Sequence, residues 1–253
     1  MINQMKQIHF KKLIVTVPPE LKIQFKQIHR RELIMTNFVF GIFGIIGGLL
    51  CAFADILFDL KGKNNVKSSP VRIIDSNWQI MSEWRFNVSI LVAAIGVPLY
   101  SFSFLGMANQ LAQSNKTVAM AFLVFSVVGA SGGLFIHTSI CLLPIISKTL
   151  TKNGVNKDIV ENVIVRIYNT VKIPLSIMFF SLVIATSAVL IYAIFRSYLN
   201  VPFIFVFLNP LGLILTGWVF RLINKKIFSD LPGIIMPSVG IAMIGFMTVL
   251  TTL

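Results

Sequence analysis

The sequence predicts an all-α fold, a polytopic transmembrane helical bundle of six membrane-spanning helices with a short N-terminal interfacial segment. Three observations point to it. The 253 residues are 56% hydrophobic and 12% charged, with a mean hydropathy of +0.84, whereas soluble domains carry roughly 25% charged residues. Six apolar runs each approach the about 20 residues that cross a bilayer core. The 22 Lys and Arg gather mainly at the ends of those runs and in the N-terminal arm, where basic side chains meet lipid headgroups.

Residues 1–32 read as a basic N-terminal arm. Its apolar stretch, Leu13 to Val17, is too short for the core of a signal peptide, and Pro18, Pro19 and Glu20 stand where small residues would mark a cleavage site. Leu21, Phe25 and Ile28 recur at helical spacing between Lys22, Gln24, Lys26 and Gln27, the pattern of a helix lying in the interface. Residues 33–253 read as the six-helix domain. Its spans are expected at 38–57, 87–111, 118–143, 173–192, 202–220 and 234–250. The polar stretches between them, longest at 58–86 and 144–172, are too small to bury a core of their own.

Six spans place both termini on one side of the membrane. Thirteen of the 22 basic residues fall on the other side, in 58–86, 144–172 and 221–233, so the positive-inside rule favours those three loops as cytoplasmic. The net charge of +13 is read as contact with the membrane surface. Membrane lipids are therefore the expected partners, nucleic acid is not expected, and homo- and hetero-oligomers are both open.

The interior pattern carries the functional expectation. In the first span Gly44, Gly48, Ala52 and Asp55 lie at offsets 0, 4, 8 and 11, and eleven residues at about 100° each return to the starting direction. In the third span Gly129, Gly133, His137 and Cys141 follow at steps of four. Gly44, Gly48, Gly129 and Gly133 are read as helix-packing residues that let backbones approach closely, and they predict that the two helices meet along these edges. Both spans run from the same side, so Asp55 and His137 share a leaflet. The start of the second span brings Glu83, Trp84, Arg85 and Asn87 to that level. Asn209 precedes Pro210 in the fifth span, where proline removes a backbone hydrogen bond and frees a carbonyl for a cavity.

Charge at membrane depth is costly enough that function is the default expectation for it. One reading is a polar ligand-binding pocket in which Asp55 pairs with Arg85, with His137 and Asn209 close by. An imidazole beside a carboxylate can relay protons, act as acid or base, or hold a polar headgroup. The structural alternative makes Asp55 and Arg85 a boundary salt bridge, with His137 donating to a carbonyl of a neighbouring helix.

No H-E-x-x-H is present, and one interior histidine cannot supply a three-ligand zinc site. P-loop, dinucleotide and serine-elbow motifs are absent from the sequence too. Cys51 and Cys141 have no metal-ligand spacing and read as buried apolar thiols. Neither a metal nor a cofactor is expected.

The run from Gly47 and Gly48 through Ala54, Asp55, Ile56 and Leu57, the pair Trp84–Arg85, His137, and the pair Asn209–Pro210 together resemble an uncharacterised family of small bacterial six-span membrane proteins. The resemblance implies a location in a bacterial plasma membrane and a single site containing Asp55, Arg85, His137 and Asn209. The family has no known activity to carry over. The leading expectation is an integral membrane protein that binds a small or lipid-like ligand in an intramembrane polar pocket, for sensing, binding or as a transport accessory. Catalysis is not favoured, because no complete catalytic constellation is visible. The alternatives are an intramembrane lipid-modifying enzyme using His137 and Asp55, and a structural or immunity-type subunit without a pocket.

Overall fold

A computed structural model describes residues 19–62, 64–69, 72–225, 227–231 and 236–253. The elements in order are α1 (Pro19–Asp59), a two-residue ladder of β1 (Lys67–Ser68) and β2 (Ile74–Asp75), a 3-10 turn (Ser76–Gln79), α2 (Glu83–Ser114), α3 (Lys116–Lys152) and α4 (Lys157–Phe179). A π-helical turn (Phe180–Ala185) joins α4 to α5 (Thr186–Phe195), followed by a 3-10 turn (Phe203–Val206), α6 (Pro210–Ile223) and α7 (Met236–Leu250).

The contacts divide the chain into Met1–Thr36 and Asn37–Leu253. Of the first unit, residues 19–36 are helical, with Ile28 and Met35 exposed. Residues 1–18 and the side chains of Leu21 and Phe25, expected on an interfacial face, lie outside the described part. Everything below concerns the second unit.

Four helical segments are long and apolar enough to cross a membrane: Arg31–Asp59, Glu83–Ser114, Lys116–Lys152 and Lys157–Phe195. Pro210–Ile223 and Pro237–Leu250 are apolar but shorter. At 1.5 Å per residue the 37 residues of α3 span about 55 Å, well beyond a hydrocarbon core of about 30 Å. The stretch 144–172, expected as a loop, is therefore mostly helix. The chain turns between α3 and α4 at residues 153–156, where Gly154 takes φ +74° and Asn156 caps α4 by accepting from Asp158 N at 2.8 Å. The span expected at 202–220 is also broken, into the 3-10 turn and α6. Residues 234 and 235, expected to open the last span, lie outside the described part.

Apolar side chains face both ways, as a bilayer requires. Leu49, Phe53, Leu91, Ile95, Val124 and Val127 are exposed on the helix surfaces, while Ser89, Ser103, Ser126, Thr186 and Thr248 are buried. Small hydroxyl residues inside and large apolar ones outside reverse the soluble pattern, and they suit helices that associate through close packing and hydrogen bonds.

The glycine edges point elsewhere than expected. A side chain on Gly44 would meet Ser103 of α2 and Gly245 of α7, and a Cβ on Gly48 would lie 2.5 Å from the Ala242 nitrogen of α7. Gly129 abuts Leu182 of the π turn, and Gly133 lies beneath the Tyr100 hydroxyl. Helices α1 and α3 thus do not meet along their glycine edges; each uses its edge to seat a different helix.

The described residues between Leu60 and Ser82 form a cap on the overshooting ends of α3 and α4. Lys148 of α3 donates to the carbonyls of Gln79 at 2.9 Å and Met81 at 2.7 Å. Lys61 pairs with Asp59 at 2.9 Å and with Asp75 at 3.0 Å. Asp75, 3% exposed, also accepts from Asn65 Nδ2 at 2.6 Å, so the buried charge has partners on both oxygens. Burial alone would pull the Lys61 ammonium below its ordinary value of 10.5, but the two carboxylates outweigh it and hold it above. Beneath the cap, Trp78, Met81, Phe58, Phe86, Cys141 and Ile164 form a compact apolar cluster.

Candidate functional site

Four helices supply one polar cluster, with hydrogen bonds on either side of an Asp55–His137 contact. Asp55 stands on α1, Ser89 on α2, His137 on α3 and Ser238 in the first turn of α7. His137 Nδ1 lies 3.5 Å from Asp55 Oδ1. Ser238 donates to Asp55 Oδ2 at 2.5 Å. On the far side of the imidazole, Nε2 lies 2.9 Å from Ser89 Oγ, and Ser89 donates to the Ala54 carbonyl at 2.7 Å. The Cys141 thiol lies 3.6 Å from both Ser89 Oγ and His137 Nε2.

Counting hydrogens fixes the polarity of this chain. A serine has one proton to give, and Ser89 gives it to Ala54. Ser89 then accepts from His137, so Nε2 carries hydrogen. Nδ1 faces Asp55 Oδ1 across 3.5 Å, and with one further proton on the pair, at the carboxyl or at Nδ1, the dyad carries no net charge. That arrangement avoids the cost of a lone buried charge. The same count decides how Ser89, His137 and Asp55 act together. They have the composition of a hydrolase triad, but a nucleophilic serine must offer its proton to the imidazole. Here the proton is committed to a backbone carbonyl, and Ser89 is fully buried. Ser89 anchors the ring.

A half-open cavity of about 130 Å³ lies against the dyad. Asp55 and Cys51 of α1, Tyr100 and Val97 of α2, His137 and Gly133 of α3, Met178 of α4, Leu182 of the π turn, and Ser238 and Ile241 of α7 all line it. The cavity begins where Asp55, 18% exposed, and His137, 16% exposed, present their side chains. The cap end is closed. Phe58 packs edge-on against His137 and against Phe86, each with ring centroids 6.3 Å apart, and the apolar cluster under the cap lies behind them. Aromatic side chains therefore fill the space between the dyad and that end.

The structure brings Asp55 and His137 together and leaves two expected partners outside. Arg85 donates to the carbonyls of Leu60 at 2.8 Å and Ile56 at 3.4 Å, so it satisfies the C-terminal end of α1 instead of pairing with Asp55. Unpaired carbonyls and the negative end of the helix dipole attract a guanidinium there. Asn209 is the N-cap of α6: its Oδ1 accepts from Gly212 N at 3.0 Å, its Nδ2 donates to the Val206 carbonyl at 2.7 Å, and Pro210 takes the first helical position. Proline costs nothing there, since that N–H has no helical partner anyway. Glu83, Trp84 and Asn87 are exposed. Among the described residues no group of three His, Cys, Asp or Glu could hold a metal ion.

The sequence reading missed Ser89, Tyr100 and Ser238. A signal was present for two of them. Ser89, Ala93, Val97 and Tyr100 have the same 0, 4, 8, 11 offsets as Gly44 to Asp55, which puts a hydroxyl at each end of one face of α2. Ser238, one serine in an apolar helix, carries no comparable pattern.

The fold and site define an all-α protein with four helices of membrane-crossing length and a buried Asp–His–Ser cluster beside a cavity. The chain belongs to the family of unknown function DUF6796, which it matches over residues 25–253. No curated protein and no solved structure matches it.

Proposed function

We propose that this is an integral membrane protein of the bacterial plasma membrane, with six crossings, that binds a small or lipid-like ligand in an intramembrane polar pocket. The carrying observation is the convergence of the Asp55–His137 dyad and Ser238 on the wall of the 130 Å³ cavity. Ionisable groups at such depth are retained for a purpose more often than not. Asp55 and Ser238 offer acceptor and hydroxyl to the ligand's polar end, and His137 keeps the dyad neutral. Arg85 and Asn209 hold helix ends and are not assigned to the ligand.

Two features favour binding over proton transfer. The hydrogen-bonded chain ends on the Ala54 carbonyl, which has no proton to pass on. Beyond it the path runs into Phe58 and Phe86. Ser89 does not supply a nucleophile to the lipid-modifying alternative, since its proton is committed to the Ala54 carbonyl. The six crossings rest on the two shorter apolar helices, the fifth being entered through the 3-10 turn. The basic residues of 58–86, 144–172 and 221–233 favour the cap end as cytoplasmic.

The test is the small-molecule content of the full-length protein purified from membranes in mild detergent. Solvent extracts of wild type, Asp55→Asn and His137→Ala would be compared by mass spectrometry. Wild type should carry at least one molecule near stoichiometry that both variants lose while keeping their melting profiles. Identical extracts from all three would contradict the pocket reading.

A further inference from the structure

Among the described residues, the cavity wall contains a hydroxyl with no hydrogen-bond partner. Tyr100 is 2% exposed, it lines the cavity, and no hydrogen bond to its hydroxyl occurs among the described residues. The hydroxyl lies 3.3 Å from where a Cβ on Gly133 would sit. Buried tyrosine hydroxyls normally find partners, and leaving one unmet is costly. The other polar groups of the wall are spoken for: Ser238 donates to Asp55, and Asp55 faces His137.

Three properties of the surroundings define what would meet Tyr100. First, the dyad has no net charge and no Lys or Arg lines the cavity, so neither an anionic nor a cationic head finds a counter-charge. Second, the cavity is small, about 130 Å³, on the scale of a small polar head and its first carbons. Third, the water-facing end is closed. The cap is latched by Lys148 and Lys61, and Phe58 and Phe86 fill the space below it.

A route toward the bilayer is marked by Val97. It lines both this cavity and a second, apolar groove of about 330 Å³ formed by residues of α2 and α3 around Pro98, Leu105, Val127 and Leu134. Leu105 and Val127 are exposed on the helix surfaces.

Resting on the binding role proposed above, we infer that the ligand is a single-chain, uncharged amphiphile with a hydroxyl head, of the long-chain alcohol or monoacylglycerol class, reaching the site from the bilayer. Its hydroxyl bonds to Tyr100 and to the Asp55–Ser238 pair, and its tail passes Val97 into the groove. Tyr100 and Val97 thereby select head and tail, and the cap keeps out water-borne competitors.

The experiment uses the full-length protein in phosphatidylcholine nanodiscs and three clickable photoreactive probes of one chain length, each with a diazirine near its head: hexadecanol, hexadecanoic acid and hexadecylamine. The alcohol should label Met178, Leu182 or Ile241, with labelling about tenfold lower in Tyr100→Phe, as expected for one lost hydrogen bond, and lower still in Asp55→Asn. Val127→Trp, in the exposed part of the groove, should reduce it while leaving the melting profile of the protein intact. If the acid or the amine labels the same wall as well as the alcohol and with the same dependence on Asp55, the head-group assignment falls and the pocket stands. Tyr100→Phe labelling like wild type also overturns the assignment. If no probe labels the wall and extracts of wild type and Asp55→Asn are identical, both the assignment and the pocket are wrong.

Discussion

The described residues form two acid–base clusters, and they differ in what is left over. In the cap, Lys61 has Asp59 and Asp75, Asp75 has Lys61 and Asn65, and Asn77 ties the segment back to the Lys61 carbonyl. Each of these three charges has partners within the protein. Inside the bundle, Asp55, His137, Ser238 and Ser89 are also linked, but the cluster adjoins a cavity that Tyr100 also lines, and among the described residues no hydrogen bond reaches the Tyr100 hydroxyl. A saturated network serves the fold. A network that stops at a cavity has capacity for something outside the chain.

The largest expected effect breaks the first cluster. Lys61→Met leaves Asp75 with Asn65 as its remaining partner, and removing one member of a buried pair costs about 3 kcal/mol. Thermal unfolding in detergent micelles should show the loss, together with faster proteolysis of residues 60–82. The same variant should open the cap end to water, so a membrane-impermeant thiol reagent should reach Cys51 faster than in wild type, in a Cys141→Ala background.

Next comes the seam between α3 and the π turn. Gly129 has no room for a side chain, because a Cβ would lie 2.6 Å from that of Leu182. Gly129→Leu should cost about 2 kcal/mol through overpacking. Leu182 also lines the cavity, so the substitution should weaken the alcohol labelling as well. Gly62→Ala, whose backbone has φ +81° in an open part of the loop, should leave labelling unchanged.

Smaller again is Ser89→Ala. It strips the His137 N–H of its acceptor, and such a change costs about 1 kcal/mol. Ligand labelling should fall by no more than about threefold, because Ser89 anchors the ring without touching the cavity. Complete loss of labelling with stability unchanged would instead place Ser89 in the binding machinery.

The smallest effect is that of pH on the cap. The folded-state pKa of Lys61 lies above its unfolded value of 10.5, so the stabilisation is fully present below 10.5 and is lost as pH rises through the folded value. The Lys61-dependent difference in melting temperature should therefore stay flat from about pH 7 to about pH 10 and shrink above that.

Much of this could be read from the residues, though not always for the reason first given. Asp55 and His137 are neighbours as their depth and helical spacing predicted. The contact is made beside the glycine edges, which seat α7 and the π turn. Arg85 was matched to the nearest carboxylate by charge, but a helix end offers several unpaired carbonyls at the same place, and these won. Asn209–Pro210 is the ordinary signature of a helix start, and its meaning for a cavity was overread. The helices run longer than the apolar runs suggest, because Lys148, Lys152 and Lys157 lie beyond those runs and helices continue past the hydrocarbon when a folded cap packs on them. The cap itself was invisible: Asp75 and Trp78 have no periodicity, and their burial depends on contacts far along the chain.

The most direct test of the binding role is an experimental structure of the full-length protein in lipid, at a resolution that separates water from an alkyl chain. The account predicts continuous nonprotein density within hydrogen-bonding distance of the Tyr100 hydroxyl and the Asp55–Ser238 pair, extending past Val97. A cavity that holds ordered waters alone, or one closed by Tyr100 bonding to the protein, would contradict it.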